Sequence, residues 1–459
     1  MNVLLILSYL SLFGIWACSY FYALDMSLNV IATATLIVFI GSHRSLRLLA
    51  TEDEGGAPVA EKEVMSTKDA AQFPIVGSAA LFGLFVAFKY LDREIVNMLL
   101  SAYFLFVGIF TLTGTISPLL ETFFTSNEKK IGFKYTIPIL GDLDLRFNMA
   151  ELVSMIPATI FSVIYIKTKH YMMNNVLGIS FCVQSLERIS IGSYNIGAIL
   201  LIGLFFYDIF WVFGSESVFG SNVMVTVAKN FDGPIKLLFP KSLPGTDIAS
   251  GITNTLTNVG NYTLTSSLEL SGECKTFVDT VSTMLKNKGP AASVSLETAS
   301  SVLSYARNTT IEACLPKVNS IVGPLKSAVE GEFSLLGLGD IVIPGLFIAI
   351  LLRFDAVQKN MTGNQIEHES FSKPFFYSNI IAYAMGLGVT MYVMLIFKAA
   401  QPALLYLVPA CLGASALCAL VMGGKTFSKL MEYNEEEAKD GEKGDEAVTS
   451  NEKDTKKTQ

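Results

Sequence analysis

"LLIGLFFYDIFWVFG", residues 200–214, is long enough with its flanks to cross a bilayer, yet it holds one acid, Asp208, near its centre. An ionised side chain in mid-membrane costs at least about 2.5–3.5 kcal/mol on insertion scales, and such residues are functional candidates by default. The chain around it reads as a membrane protein. Its 459 residues are 51% hydrophobic and 16% charged, with a mean hydropathy of +0.48, whereas a soluble domain is about a quarter charged. Apolar runs occupy approximately 3–23, 28–48, 73–91, 95–117, 149–167, 172–190, 195–214, 333–353, 375–397 and 402–422. Each approaches the roughly 20 residues that a spanning helix needs. The fold class is an all-α polytopic membrane protein.

Composition also excludes. The net charge of −7 leaves no basic footprint for nucleic acid. Three histidines and six cysteines, with no CxxC or HExxH, argue against zinc. No metal and no cofactor are expected.

Lys and Arg set the orientation. Arg44 and Arg47, then Lys129, Lys130, Lys134 and Arg146, then Arg353, Lys359 and Lys373, then Lys425 and Lys429 alternate onto one side, taken as cytosolic; Lys167 and Lys169 fall on the other. The C-terminus is then cytosolic. Residues 1–27 read as a signal peptide or an extra anchor, because the run at 3–23 lacks a basic n-region and is long. Residues 28–214 hold helices 1–6 with Asp208. Residues 215–332 form a luminal loop that opens on the amphipathic "SNVMVTVAKNFDGPIKLLFP" (221–240), expected at the interface. Residues 333–422 hold helices 7–9, and 423–459 form a charged, disordered cytosolic tail.

In the loop, Asn261-Tyr262-Thr263 and Asn308-Thr309-Thr310 are N-x-T acceptors, and Cys274 and Cys314 lie outside the apolar runs. A luminal location would glycosylate Asn261 and Asn308 and allow the two cysteines to pair. The last residues, Lys456-Lys457-Thr458-Gln459, match a dilysine retrieval signal, an address rather than an anchor.

Glu151 and Glu187 lie near helix ends, where snorkelling or interfacial water serves them, and Asp142 and Asp144 fall outside the runs. Two acids remain deep: Asp208, and Asp340 in "FSLLGLGDIVIPGLFIAILL" (333–352). A lone buried ion is costly. Two acids brought together around a water share one proton, and that is acid–base machinery for peptide hydrolysis. Gly337 and Gly339 let the backbone unwind or let an extended chain approach; small-residue helix packing explains them equally. Tyr207 is a packing residue or a hydrogen-bond donor to a carboxylate. Pro402 begins a run, a position that tolerates proline.

Tyr207-Asp208, Gly337-Leu338-Gly339-Asp340 and Pro402-Ala403-Leu404, in this order, resemble the motifs of the GxGD intramembrane aspartyl proteases, within them the signal peptide peptidase branch. "STKDAAQFPIVGSAALFGL" (66–84), "NVMVTVAK" (222–229) and "FKAAQPALLYLVPACLG" (397–413) extend the likeness. The resemblance implies a nine-helix, presenilin-like bundle, to which the segment at 3–23 is an addition. It implies that Asp208 and Asp340 are catalytic and that Pro402-Ala403-Leu404 lines the site. It implies remnant signal peptides and other type II segments as substrates in the endoplasmic reticulum membrane, with a homo-oligomer as a further partner. Two departures stand out: an excess of chain near 244–330 and the extra "SESVFG" at 215–220. The excess reads as an inert glycosylated insertion, a substrate gate or a self-cleavage site. The competing class is a proton-coupled transporter or channel using the paired acids, but no internal repeat of the transporter kind is evident. A catalytically silent adaptor is a third.

Overall fold

The computed structural model describes residues 3–22, 24–50, 63–120, 131–137, 141–231, 233–242, 248–265, 279–285, 296–308, 322–326, 328–329, 331–359, 361, 371–397 and 401–435. Its helices are α1 (Val3–Phe21), α2 (Met26–Ala50), α3 (Thr67–Tyr90), α4 (Arg93–Leu120), α5 (Met149–Thr168), α6 (Tyr171–Arg188), α7 (Tyr194–Ile209), α8 (Ser215–Phe219), α9 (Val223–Asn230), α10 (Ile248–Thr265), α11 (Leu296–Asn308), α12 (Gly339–Gln358), α13 (Pro374–Phe397), α14 (Leu404–Val421) and α15 (Gly424–Glu432). Six short strands form three two-stranded sheets: β1 (Glu63–Met65) with β4 (Ile189–Ile191), β2 (Ile131–Ile137) with β3 (Gly141–Phe147), and β5 (Lys236–Ser242) with β6 (Glu332–Gly337). The first pair is parallel; the second is an antiparallel hairpin running from Ile131 opposite Phe147 to Ile137 opposite Gly141.

Two compact units are distinguished, one of residues 1–14, 30–237 and 336–459, the other of residues 15–29 and 238–335. The first is the helical bundle. α3 packs on α7 and α9; α7 packs on α12 and α14; α13 packs on α12 and α14; α4 packs on α5 and α6. Among the described residues eight helices are long and apolar enough to cross a membrane: α1 to α5, α7 as far as Phe219, α13 and α14. Their outer faces carry exposed residues such as Ile75, Val76, Phe106, Ile156 and Tyr392, which suits a surface that meets lipid.

α6 is as long but less apolar, and α12 is long and apolar yet interrupted by charged residues. They carry Asn174, Gln184, Glu187 and Arg188, and Asp340, Arg353 and Asp355. They are also enclosed by protein: α12 buries residues 343–356 without a break. Polar residues are tolerated at membrane depth where protein, not lipid, surrounds them. With these two, nine long helices of the bundle run from α2 to α14 among the described residues, α10 belonging to the second unit, and α1 precedes them.

Several expectations change. Residues 333–337 belong to β6 and not to a spanning helix, because "EFSLLG" alternates in burial with the period of a strand. The tail does not start at 423: α15 occupies Gly424–Glu432, and Asn434 makes a bridge to Ser193. Residues 436–459 lie outside the described residues. The amphipathic stretch at 221–240 splits into α9 and β5; Val223 and Val227 are buried with Phe85 and Trp211, so protein and not lipid covers that face. Glu187 is not left to interfacial water. It pairs with Arg44 at 2.7 Å, and Arg44 also donates to the Gly114 carbonyl at 2.8 Å. Glu151 caps α5 reciprocally with Asn148.

The second unit contains α10 and α11. Ile252, Val281, Leu285, Ala299, Val302 and Leu325 are buried there. A Cβ at Gly251 would come within 2.6 Å of the Ala328 Cβ, so this close approach needs glycine. The described part of the 215–332 segment is thus folded.

Candidate active site

Asp208 is the penultimate residue of α7 and is 3% exposed. Its Oδ2 accepts the backbone N–H of Leu404 at 3.0 Å. Leu404 is the first residue of α14, and the preceding Ala403 has no side-chain oxygen to cap that helix. The first amides of a helix have no partner within it and carry partial positive charge. Asp208 therefore caps α14 from another helix, which lowers the cost of burying its carboxylate.

Directly after Asp208 the backbone widens into a π-turn, Phe210–Gly214, a feature often found at functional sites. The turn is held from several sides. Trp211 Nε1 donates to Ser78 Oγ at 3.0 Å, and Asn222 Nδ2 donates to the Val212 carbonyl at 2.7 Å. Ser215 Oγ donates to the Trp211 carbonyl and accepts the Val223 N–H. The extra "SESVFG" forms α8, closed by Gly220 at φ 73°, where glycine adopts the left-handed conformation freely.

Asp340 is the second residue of α12. β6 ends at Gly337, the Leu338 N–H donates to the Ile235 carbonyl at 3.1 Å, and the helix starts at Gly339. The Gly-Leu-Gly-Asp motif is thus a strand-to-helix junction, in keeping with unwinding at the glycines. A Cβ at Gly337 would stand 3.3 Å from Asp340 Oδ2, so the strand passes close to the carboxyl because residue 337 has no side chain. At Gly339 a Cβ meets only Ile343, at 3.7 Å.

The two carboxyls are brought together: Asp340 lies within electrostatic reach of Asp208. Asp208 Oδ1 and both oxygens of Asp340 accept no hydrogen bond from any described residue.

Tyr207 lies near Asp208, but its hydroxyl makes no hydrogen bond to either carboxylate among the described residues. Its ring packs beside Gly77 and Trp211, which is the packing alternative. Pro402 and Ala403 are buried, and their carbonyls accept the N–H groups of Leu405 and of Tyr406 and Leu407. The motif meets the site through the Leu404 amide.

One site residue escaped the sequence reading. The Tyr383 hydroxyl on α13, fully buried, donates to the Asp340 carbonyl at 3.1 Å. In a helix that carbonyl belongs to the N–H four residues on, and residue 344 is proline, which has none. Tyr383 supplies the missing donor. Pro344, four positions after Asp340, was the signal.

Asn261 and Asn308 fall in α10 and α11. Cys274, Cys314, Lys456 and Lys457 lie outside the described residues. Among the described residues no group of three or more His, Cys, Asp or Glu is placed to hold a metal ion.

The sequence profile described as signal peptide peptidase matches residues 58–255 and 291–437. The chain is similar to "Signal peptide peptidase" of Mus musculus, 33% identical over 419 residues, covering 90% of this chain and 84% of that protein. The protein of the same name from Homo sapiens is 33% identical over 418 residues, with the same shares. "Intramembrane protease 2" of Caenorhabditis elegans is 31% identical over 311 residues, 67% of this chain and 48% of that protein. No solved structure matches. Residues 256–290, between the two matched segments, lie inside the excess expected at 244–330.

Proposed function

Since the chain belongs to the signal peptide peptidase family, we propose that Asp208 and Asp340 are the catalytic pair of its hydrolytic site. The protein is a multi-pass intramembrane aspartyl peptidase, and its substrates are membrane proteins in a lipid bilayer. The observation that supports the pair is the placement of Asp208 under the Leu404 amide with Asp340 in electrostatic reach.

The amide occupies Oδ2 of Asp208, so Oδ1 faces the water and the shared proton. One carboxylate takes a proton from water as the water oxygen bonds to the scissile carbonyl carbon. The other carboxyl gives its proton to the carbonyl oxygen. Collapse of the resulting gem-diol breaks the C–N bond, and the departing nitrogen takes up a proton. A substrate helix must first open around the scissile bond. β6 delivers a strand to Asp340, and Leu335 on it is exposed, so an opened segment has an extended neighbour to pair with. Pro402, Ala403 and Leu404 hold the Asp208 side of the site; Gly337, Leu338 and Gly339 hold the Asp340 side.

The substrate class is remnant signal peptides and other type II segments in the endoplasmic reticulum membrane, with the C-terminus cytosolic. The Lys and Arg distribution and the acceptor sites at Asn261 and Asn308 support that placement. An oxidising lumen would pair Cys274 with Cys314, and the chain acts as a homo-oligomer without a cofactor other than water.

The test is cleavage of a fluorophore-labelled type II segment in proteoliposomes by D208N and D340N. Each variant is expected to be folded and inactive; full cleavage by either refutes the pair.

A further inference from the structure

The two aspartates sit at one end of their helices, and a polar lock joins the other ends. Arg353, 0% exposed on α12, donates from one terminal nitrogen to Ser45 Oγ at 3.1 Å and from the other to Ser190 Oγ at 3.0 Å. Its Nε stands 3.3 Å from Glu435 Oε2, an ion-pair contact with a residue that is itself 4% exposed. Ser190 Oγ donates to the same Glu435 oxygen. An arginine buried to this degree needs a buried counter-charge, and the chain supplies it from residue 435.

The same C-terminal segment grips α7. The Glu435 N–H donates to the Gly192 carbonyl at 2.8 Å, and Asn434 forms a backbone bridge with Ser193. Ser193 is the N-cap of α7, its side chain accepting the Ile196 N–H. Asn195 Nδ2, on the first turn, donates to the Met431 carbonyl at 3.0 Å. The Tyr433 ring packs edge-on against Phe354 of α12, centroids 5.3 Å apart. Residues 431–435 therefore touch both helices that carry the aspartates, on the turns remote from them. Asp208 is fifteen residues beyond Ser193 and Asp340 thirteen before Arg353, so each lies about 20 Å along its helix from the lock. Sliding or rotating either helix would pull Arg353 off Glu435 or Ser193 off Asn434.

We propose that residues 431–435 are a clasp that sets the register of α7 against α12, and so the separation of Asp208 and Asp340, with Arg353 and Glu435 as its positioning residues. The inference rests on Asp208 and Asp340 being the catalytic pair.

The test uses the full-length protein in phosphatidylcholine vesicles, a fluorophore-labelled type II segment, and a hydroxyethylene peptide isostere that mimics the tetrahedral intermediate. Active sites are counted by titration with the isostere. E435Q keeps the volume of the side chain and removes its charge. It is expected to lower kcat per titrated site about tenfold, leave KM within twofold, and weaken the isostere by the same tenfold. Adding R353M to E435Q should cost at most a further twofold, because the two residues act as one unit. A chain ending at Glu435 should retain kcat within twofold, and one ending at Met431 should match E435Q. A purely structural role would lower yield and melting temperature but leave kcat per titrated site unchanged; that result overturns the clasp, as do multiplicative losses in the double variant. If E435Q does not fold, S190A is measured against the same criteria, with about a threefold loss in kcat expected. Inactive D208N and D340N beside a fully active E435Q would remove the clasp alone. Cleavage by D208N would remove the catalytic pair and the clasp with it.

Discussion

Removing one hydroxyl should disturb the site without touching a carboxylate. Tyr383 donates to the Asp340 carbonyl at 3.1 Å, and Pro344 leaves that carbonyl without its helical donor. In Y383F the carbonyl is left unpaired in a buried setting, where a lost partner costs about 1–3 kcal/mol. At about 1.4 kcal/mol per tenfold, loss of that amount in the transition state slows the reaction about 5- to 150-fold. We expect kcat to fall about tenfold with KM within twofold, because the carbonyl belongs to the residue whose carboxyl reacts. The assay is cleavage of a type II segment in detergent micelles, normalised by active-site titration. The control is P344A, which restores an N–H at position 344 and with it an intrahelical donor to the Asp340 carbonyl. In that background the Tyr383→Phe change should cost no more than twofold relative to its own parent. An equal loss in both backgrounds, or none in the first, refutes the exchange of donors.

The other expectations are simpler. G337A places a Cβ 3.3 Å from Asp340 Oδ2; a shift of a few tenths of an ångström at a reacting group should lower kcat several-fold, with the melting temperature unchanged, since a 1 Å displacement costs about 10²-fold. D355A removes the acceptor of the Phe376 N–H at 2.9 Å and the Phe375 N–H at 3.4 Å at the start of α13; about 1–2 kcal/mol of stability should be lost, visible as a lower melting temperature, while D355N, which keeps one acceptor and turns an NH2 toward the other amide, should lose part of it. For the second unit, N261Q and N308Q should each remove one glycosidase-sensitive increment of gel mobility, and an unmodified wild-type chain would refute the glycans at both sites.

How far the sequence carried depended on what each residue needs from its surroundings. Hydropathy located α3, α4, α5, α13 and α14 because lipid contacts their outer faces and their side chains report it. It also located α6 and α12, but not how their polar residues are satisfied by other elements: Asn174 donates to the Lys236 carbonyl of β5, and Arg353 is held by Ser45 of α2 and Ser190 of β4. The start of β6 reads as part of a spanning run because "FSLLG" is apolar, and an apolar run of five residues does not distinguish a strand from a helix. Asp208 and Asp340 were legible because an acid in an apolar run is expensive. Tyr383 was not, since a tyrosine among "IIAYAMGLG" is unremarkable until its helix lies against Pro344. The Leu404 amide has no letter of its own in a sequence; only an Ala at the N-cap, where Ser, Thr, Asp or Asn is usual, hinted that the cap comes from elsewhere.

That borrowed cap raises a sharper question, because this bundle holds a second buried acid doing the same thing. Asp355 caps α13 across space as Asp208 caps α14, so burial beneath a helix N-terminus does not by itself single out a catalytic group. The oxygens do. Asp355 uses both: Oδ1 accepts the Phe375 N–H and Oδ2 the Phe376 N–H, which leaves it no oxygen free of an amide. Asp208 gives up only Oδ2, and Asp340 gives up neither. An acid whose oxygens are all spoken for is structure; an acid that keeps one oxygen open toward a second carboxyl can take a proton from water. It follows that D355N costs stability, because its amide nitrogen would face an N–H donor, yet leaves cleavage by the folded protein intact, whereas D208N keeps the Leu404 hydrogen bond and abolishes cleavage by losing the proton chemistry. Equal effects of D355N and D208N on cleavage, each in folded protein, would show that the cap and not the free oxygen is what matters at Asp208.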